Sequence, residues 1–291
     1  MFKKILLQSI QSKCLKWFIP TSFCGCAGFF LLGKNFWDLC IWDSVLLGIF
    51  IIIGIFILIF LWYGAKEFGK YIHNIYVDSI WGYAIIELKN AYSEIHFLRK
   101  QDNISPEEFI SVMINFCNIL KKIFDKKTNA NCCVSIKVPI SNGENLEALE
   151  LSNLCRDSDH QNRDTDQYKK IKHRIIGNTA FSKIVNKILK GNQKHLAYVN
   201  NDISKSLDYE NTSIECYIDK ILPYNSELVY PIVPIKGNEL YQNNLKGFIC
   251  IDCNKPNKFD ENRYDIPMVE GVADGIYDIF EKYENSIKRN R

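Results

Sequence analysis

The segment 154–170, LCRDSDHQNRDTDQYKK, concentrates charged side chains of the kind that bind anions. Two Arg–Asp pairs stand in it, Arg156 with Asp157 and Arg163 with Asp164. An arginine guanidinium binds phosphate or carboxylate through two parallel hydrogen bonds, and an adjacent carboxylate can hold it in place. The segment therefore predicts a site for an anionic ligand such as a nucleotide. The alternative is a solvated loop whose opposite charges satisfy one another, because surface ion pairs contribute little stability.

A helix begins shortly afterwards, in the segment GNTAF, where Asn178 and Thr179 occupy its first positions. Side chains and free N–H groups at the positive end of a helix could meet the same anion. The alternative is ordinary capping, since Asn is a favoured N-cap residue. The predicted ligand-binding residues are Arg156, Asp157, Arg163, Asp164, Asn178 and Thr179.

Catalytic and metal-binding patterns are not found in the sequence. It contains no G-x-x-x-x-G-K-[ST], no G-x-S-x-G and no H-E-x-x-H. His160, with its acidic neighbours, would be the first metal candidate. Cys250 and Cys253 form a C-x-x-C, but a strand would point them to opposite faces, and structural zinc needs four converging ligands. The net charge of +3 comes from dispersed lysines. We therefore expect no enzyme, no metal or cofactor, and no nucleic-acid partner.

An uncharged stretch stands in the first quarter of the chain, where every residue from Leu46 to Tyr63 is apolar or glycine. About 18 to 20 such residues cross the hydrocarbon core of a bilayer as a helix. The stretch predicts a transmembrane span at 45–63, with Trp62 and Tyr63 at the interface. A second span is expected at about 17–33. A signal peptide is the alternative there, because the chain begins with MFKK.

The lysines predict the orientation of this hairpin. Four of them precede the first span, at positions 3, 4, 13 and 16, and Lys66 and Lys70 follow the second. By the positive-inside rule both termini face the cytoplasm, with a short outer loop, and the protein is a two-span membrane protein. The 11 cysteines agree with a reducing compartment, since their number is odd and they form no paired framework.

A continuous helix is predicted from residue 65 to about 101. Its apolar residues recur every three or four positions and form one stripe, at Val77, Trp81, Ala84, Leu88, Ala91, Ile95 and Leu98. Such a stripe is typical of a stalk that pairs with a second copy in a parallel homodimer. Alternatively, it packs on the globular domain of its own chain.

The remainder of the chain has the pattern of an α+β domain. In NISPEEF, Ser105 is a good N-cap residue, Pro106 fits the first helical position, and Glu108 completes a capping box. The segment CCVSIKVPI alternates as a half-buried strand does. Further strands are expected at 195–200, 227–234 and 245–253, and a last helix from about Asp265. Helices at both ends with short strands between them favour an antiparallel sheet covered by helices.

The last third resembles a known family. The segments ELVYPIVPI and LKGFICIDCNKPNKFDENRYDIPMVEGVADGIYDIF resemble the closing half of a GAF domain, a small sensory module, and GNTAFSKIVNKILKGNQKHLAYVNND resembles its middle portion. The matching positions are Glu227, Leu228, Pro231, Ile232, Gly247, Asp252, Phe259 and Glu261. The resemblance covers residues 105–285 and implies a sheet flanked by helices. Pro267 and the polar insert at 155–172 depart from the family's pattern.

Together these features predict a transmembrane hairpin over 1–64, a stalk over 65–104, a GAF-like sensory domain over 105–285 and a basic tail over 286–291. We expect a membrane-anchored cytosolic sensor that binds a small, anionic, nucleotide-like ligand and signals to the hairpin or to a partner. Ligand-gated effectors of bacterial antiviral defence offer an analogy for such an output. The alternative is a dimerisation or interaction platform with no ligand.

Overall fold

The computed structural model describes residues 41–140, 145–164, 172–191, 195–217, 219–236, 239–240, 244–261 and 263–289. The span predicted at 17–33 lies outside them. The chain divides into two compact units, Met1–Ser79 and Ile80–Arg291. Four α-helices are described: α1 (Ile41–Lys100), α2 (Pro106–Thr128), α3 (Thr179–Lys190) and α4 (Asp265–Arg289).

The central element is a six-stranded antiparallel sheet in the order β3-β2-β1-β8-β5-β4. Its strands are β1 (Cys132–Pro139), β2 (Glu150–Arg156), β3 (His173–Arg174), β4 (Tyr198–Asn200), β5 (Ser226–Ile232) and β8 (Gly247–Cys253). A separate two-stranded sheet pairs β6 (Ile235–Lys236) with β7 (Glu239–Leu240). The predicted α+β class is confirmed.

In the first unit, the predicted apolar helix is present as part of α1. Among the described residues, this helix is long and apolar enough to cross a membrane. Its most apolar window has a mean hydropathy of 2.9, and 6% of that window is buried. Large apolar side chains such as Phe50, Leu58 and Leu61 are exposed by more than half of their surface. Its crossing of a membrane stays a prediction.

In the second unit, the last part of α1 packs on its own domain. Ala84, Ala91, Ile95 and Leu98 are buried in the same hydrophobic core as side chains of α2 and α4. Tyr92 donates a hydrogen bond to Gly271 O at 3.1 Å, and Arg99 Nη2 donates to Gly275 O at 2.8 Å. Of the two interpretations of the stripe, packing on the chain's own domain is therefore observed here. Pairing of two copies stays a prediction.

Helix α2 begins with the capping box that its sequence predicts. The hydroxyl of Ser105 accepts a hydrogen bond from Glu108 N at 3.2 Å, and the Glu108 carboxylate accepts one from Ser105 N at 3.4 Å. The two bonds satisfy backbone donors that a helix start leaves without partners. One apolar face of α2 and one of α4 then cover the same side of the sheet.

Strand β1 is more buried than its alternation predicts. Its first six residues are all buried, which includes the polar Ser135 and Lys137. The expectation of a half-buried strand was wrong because α3 and the segment 208–217 lie over the second face of the sheet. Gly247 allows β8 to approach β1, since a Cβ atom there would lie 2.2 Å from Lys137 O and its φ is +155°.

Candidate ligand-binding cavity

A cavity of about 40 Å³ lies on this second face of the sheet. Its floor contains Ser135 and Lys137 of β1, Arg156 of β2, Glu227 and Val229 of β5, and Cys250 and Asp252 of β8. Its walls come from the segment 208–217 and from the first turn of α3. A buried water molecule needs a cavity volume of roughly 10 to 15 Å³. The cavity therefore has room for a few water molecules or for a small polar group.

Strand register explains why these side chains converge. Directly paired residues of antiparallel strands project on the same face of a sheet. Glu227 pairs with Asp252, and Asp252 pairs with Cys133. In the next row of the floor, Ser135 pairs with both Cys250 and Arg156. Four neighbouring strands thus bring acidic, basic and thiol groups to one surface.

Glu227 is a buried carboxyl group with an unsatisfied oxygen. It is 5% exposed, and within the described residues its Oε1 atom has no hydrogen-bond partner. Burial raises the pKa of Glu227 to about 8, with Asp252 adding to the effect, while Tyr209 and Lys137 oppose it. Much of the Glu227 population therefore holds a proton at neutral pH and can donate a hydrogen bond into the cavity.

Asp252, the partner of Glu227 across the strands, is neutralised in a different way. Its Oδ1 accepts a hydrogen bond from Arg163 Nη1 at 3.2 Å. Burial raises the pKa of Asp252, and the positive charges of Arg163 and Arg156 oppose that rise. The predicted residue Arg163 thus reaches the cavity floor through Asp252, although it is not itself a lining residue.

Arg156 is buried at the edge of the floor, with 3% of its surface exposed. Its Nε donates to Asp164 Oδ1 at 3.0 Å, and its Nη1 donates to Cys133 Sγ at 3.1 Å. Asp164 also accepts from Asn153 Nδ2 at 3.1 Å. The two predicted arginines and their partners are therefore largely buried, whereas residues 165–170 of the segment lie outside the described residues.

The two arginines form ion pairs with aspartates other than the ones next to them in the sequence. Arg156 pairs with Asp164, and Arg163 pairs with Asp252, rather than each with the aspartate that follows it. Arg156 is the last residue of β2, and Asp157 follows it. The Asp157 carboxylate contacts His160 and Val134 N, and Asp157 does not line the cavity.

Asp157 belongs to a buried polar cluster with Cys133 and His160. Its two oxygens lie 2.8 Å from His160 Nδ1 and 2.8 Å from Val134 N. Burial opposes its ionisation, but these hydrogen bonds keep the pKa of Asp157 below its usual value. The possible ligand atoms of the three residues lie within 4.8 Å of one another, as a metal site requires. The Arg156 guanidinium on Cys133 disfavours a cation there, so the cluster fits a hydrogen-bonded network better.

Asn178 and Thr179 hold the wall of the cavity. Asn178 occupies the N-cap position of α3, but its Oδ1 accepts from Thr212 N at 3.1 Å and not from the helix. Thr179 N donates to Glu210 O at 3.0 Å, and Thr179 Oγ1 accepts from Glu210 N at 2.8 Å. The first turn of α3 therefore binds the segment 208–212 of its own chain, and Asn178 alone of the two lines the cavity.

Most residues that line the cavity were not among the site residues predicted from the sequence, and Lys137, Glu227 and Tyr209 are examples. Lys137 stands at a polar position of an alternating strand, which is typical of a solvent-facing side chain. Glu227 was noted only as a position that matches the GAF pattern. The available signal was that polar residues of three strands share one face, but the strand order that unites them is not visible in the sequence.

No protein-family model and no curated protein matches this chain. Solved structures similar to it include the free methionine-R-sulfoxide reductase of Neisseria meningitidis in complex with its substrate, at 12% identity, covering 70% of this chain and 93% of that one, with a TM-score of 0.41. A putative GAF sensor protein from Burkholderia vietnamiensis is similar at 12% identity, over 69% and 96%, with a TM-score of 0.39. The GAF domain of an Acinetobacter phosphoenolpyruvate-protein phosphotransferase is 11% identical, covers 69% of this chain and 98% of its own, and has a TM-score of 0.36.

These likenesses concern the fold. Both reductases and sensor domains are among the similar structures, so the fold does not decide between an enzyme and a sensor. The sheet with helices on its faces is the architecture that the sequence resemblance implies, and its matching residues Glu227 and Asp252 lie on paired strands. The region from α2 to α4 therefore has the architecture that the resemblance to GAF domains implies.

Proposed function

We propose that the GAF-like domain is a sensor that binds a small ligand with an anionic group in the cavity. The observation that supports this most directly is the convergence of buried Lys137 and Arg156 on a floor where a Glu227 oxygen has no partner among the described residues. Burial of charged side chains, or of a carboxyl oxygen without a hydrogen-bond partner, costs free energy of folding. A domain that served folding alone would gain from apolar residues at these positions.

The charge balance of the floor favours an anion. When Glu227 holds its proton, it adds no negative charge to the floor, where Lys137 lies, Arg156 pairs with Asp164 and Arg163 pairs with Asp252. Protonated Glu227 donates a hydrogen bond to a ligand oxygen instead of repelling it. The guanidinium of Arg156 has the planar fork of N–H donors that matches a carboxylate or phosphate group.

The size of the cavity sets a condition on the ligand. A volume of about 40 Å³ accommodates a small carboxylate or phosphate group and not a whole nucleotide. A nucleotide, which we retain as the larger ligand of this class, requires movement of the segment 208–217. The bonds from Asn178 and Thr179 to that segment are the ones such movement would break or reshape.

We further propose that α1 anchors this sensor to a membrane, with the domain on the cytoplasmic side. The apolar length of α1 supports the anchor. The signal would pass to the membrane helices or to a separate partner. In one version, which rests on analogy with antiviral effectors, ligand binding drives self-assembly and disturbs the bilayer.

The test is ligand binding by the purified full-length chain in detergent. Nucleotides, cyclic dinucleotides, small dicarboxylates and phosphate esters are titrated by calorimetry, and the melting temperature is measured with each. We expect heat and a raised melting temperature for at least one anionic class, and their loss in Lys137→Met. The matched control is Lys205→Met, whose side chain is 82% exposed. Lack of heat with every compound, or unchanged binding by Lys137→Met, would reject the proposal.

An interaction platform without a ligand is the second candidate. Ile85, Ile86 and Phe97 of α1 are 70%, 63% and 65% exposed, which leaves apolar surface for a second copy of the chain. Sedimentation of the full chain, compared with Ile86→Glu and Phe97→Glu, tests self-association. Substitution of Arg156 and Arg163 with alanine distinguishes the candidates, because a platform would keep its cellular activity as long as the domain folds.

A further inference from the structure

Two cysteines face each other at the end of the central strand pair. Cys132 is the first residue of β1, Cys253 is the last residue of β8, and the two are direct cross-strand partners. In the adjacent pair, Asn254 N donates to Asn131 O at 3.2 Å, whereas Cys132 N donates to Asp125 Oδ1 at 2.6 Å. Cys132 and Cys253 therefore occupy a non-hydrogen-bonded position, where opposite side chains come closer.

The geometry of that position suits a disulfide. Cα atoms of a non-hydrogen-bonded pair lie about 4.5 Å apart. Disulfides join residues whose Cα atoms are about 4.4 to 6.8 Å apart. Bond formation consequently requires little movement of either strand.

The surroundings of the pair favour a thiolate on Cys253. The hydrogen bond from the Cys132 thiol lowers the pKa of Cys253, and Lys255 N–H, the Thr128 hydroxyl and the positive charge of Lys258 act in the same direction against burial. The same arrangement raises the pKa of Cys132. One sulfur is thus prepared as the nucleophile and the other keeps its proton, as in dithiols that react with oxidants.

We propose that Cys132 and Cys253 form a dithiol site that hydrogen peroxide converts to a disulfide, which links β1 to β8. The Cys253 thiolate attacks one peroxide oxygen, so that an S–O bond forms, the O–O bond breaks, and the departing hydroxide takes a proton to become water. Cys132 then attacks the sulfenic sulfur of Cys253. The S–S bond forms, the S–O bond breaks, and the hydroxyl group leaves as water with the Cys132 proton. Two thiols lose two electrons and one peroxide gains them.

Peroxide reaches this site through local opening at the strand ends. Both side chains are fully buried. The Asn131–Asn254 pair and the turn that follows β8 lie beyond them, and strand ends open more readily than strand centres. The reaction is therefore slower than that of an exposed thiolate and proceeds without unfolding of the domain. A thiol reductant reverses it.

The chain supplies its own control pair. Cys117 of α2 and Cys155 of β2 are also buried, with their sulfur atoms 3.9 Å apart. Their mutual hydrogen bond and burial raise the pKa of Cys117. This second pair has contact between its thiols, and within the described part of the chain no backbone N–H or hydroxyl donates to either sulfur. It should remain reduced under conditions that oxidise Cys132 and Cys253.

The experiment treats the folded full-length chain in detergent with increasing hydrogen peroxide, removes the excess with catalase, and alkylates all remaining thiols after unfolding. Peptide mass mapping then follows each cysteine. We expect joint loss of alkylation at Cys132 and Cys253, with a peptide that links them and disappears on reduction. Cys117 and Cys155 stay alkylated at the same dose. Half-exposed Cys216 reports that peroxide is active.

Two variants separate the steps. In Cys132→Ser the sulfenic acid of Cys253 has no resolving thiol, so dimedone should label Cys253. In Cys253→Ser, Cys132 should stay reduced. If either variant fails to fold, peptide mapping of the wild-type chain still tests the proposal. The proposal is overturned if Cys132 and Cys253 remain alkylated at doses that oxidise Cys216, if Cys117 and Cys155 cross-link equally, or if Cys253 is over-oxidised without a linked peptide.

Discussion

Glu227 and Asp252 lie opposite each other on the adjacent antiparallel strands β5 and β8. Two like charges at directly opposed positions destabilise a sheet. The two carboxyl groups avoid this in different ways, since Asp252 pairs with Arg163 and Glu227 tends to keep its proton. The cavity floor therefore contains one acid paired with an arginine and one that titrates near pH 8, so its charge changes near neutral pH.

This relationship predicts a pH-dependent stability. An unfolded Glu227 loses its proton near its ordinary pKa of 4.5, whereas the folded chain holds it until about 8. Stability is therefore lost as pH rises through that window, at about 1.4 kcal/mol per pKa unit. Glu227→Gln removes the titrating group. The melting temperature of this variant minus that of the wild type should therefore increase from pH 5 to pH 8.5. Thermal unfolding of the full chain at several pH values measures the difference.

The matched control for this prediction is Glu147→Gln, because Glu147 is an exposed glutamate outside the cavity. The difference between this control and the wild type should not change with pH. A constant difference between Glu227→Gln and the wild type over the same window would show that Glu227 titrates at its ordinary pKa.

A second prediction concerns the wall formed by the segment 208–212. Thr179→Val keeps the side-chain volume but removes the hydroxyl that accepts from Glu210 N at 2.8 Å. One such bond contributes about 1 kcal/mol, which corresponds to roughly five-fold faster local opening. Hydrogen exchange measured by mass spectrometry should show faster exchange of residues 208–212. Ser204→Ala removes an exposed hydroxyl outside this segment and should leave its exchange unaltered.

Gly247 gives a third prediction about the sheet. A Cβ atom at this position would lie 2.2 Å from the Lys137 carbonyl oxygen, which is backbone and has no side-chain freedom to move away. Gly247→Ala should cost at least about 3 kcal/mol of unfolding free energy, measured by denaturant titration. In α4, a Cβ at exposed Gly271 would meet no atom within 4 Å. Gly271→Ala should therefore stabilise the chain by roughly 0.5 to 1 kcal/mol. Equal effects of the two substitutions would contradict this account.

The fourth prediction concerns the membrane anchor. Ile53 and Ile57 are each 49% exposed in the apolar part of α1. An arginine near the centre of a span costs about 2.5 to 3.5 kcal/mol on insertion scales. The double variant Ile53→Arg with Ile57→Arg should move the protein from the membrane pellet to the supernatant in alkaline carbonate extraction. Ile85→Arg with Ile86→Arg, at exposed positions of the same helix, should stay in the pellet. Wild-type protein in the supernatant would refute the anchor.

Much of the fold could be predicted from local sequence patterns. The capping box at Ser105 fixes the start of α2, and the apolar spacing from Val269 to Phe280 fixes the buried face of α4. These features depend on contacts within a few residues. The burial of Ser135 and Lys137 could not be predicted in this way, because it depends on α3 and the segment 208–217, which are distant in the sequence.

The candidate site was predicted in part. Arg156 and Asn178 do line the cavity, but the partner of each arginine is a residue brought close by folding. Sequence adjacency suggested Asp157 as a partner, but its carboxylate contacts His160 and Val134 N. Glu227 and Asp252 become a pair only through the β5–β8 register, which no local pattern encodes.

All seven residues of β5 are buried, and Glu227 is the acid among them. A leucine or glutamine there would remove an energetic cost, so ordinary selection for folding would not keep the glutamate. In natural variants of this chain, persistence of an acid at position 227 would mark selection for what the cavity does. Its drift to apolar residues would mark descendants in which that role has ended.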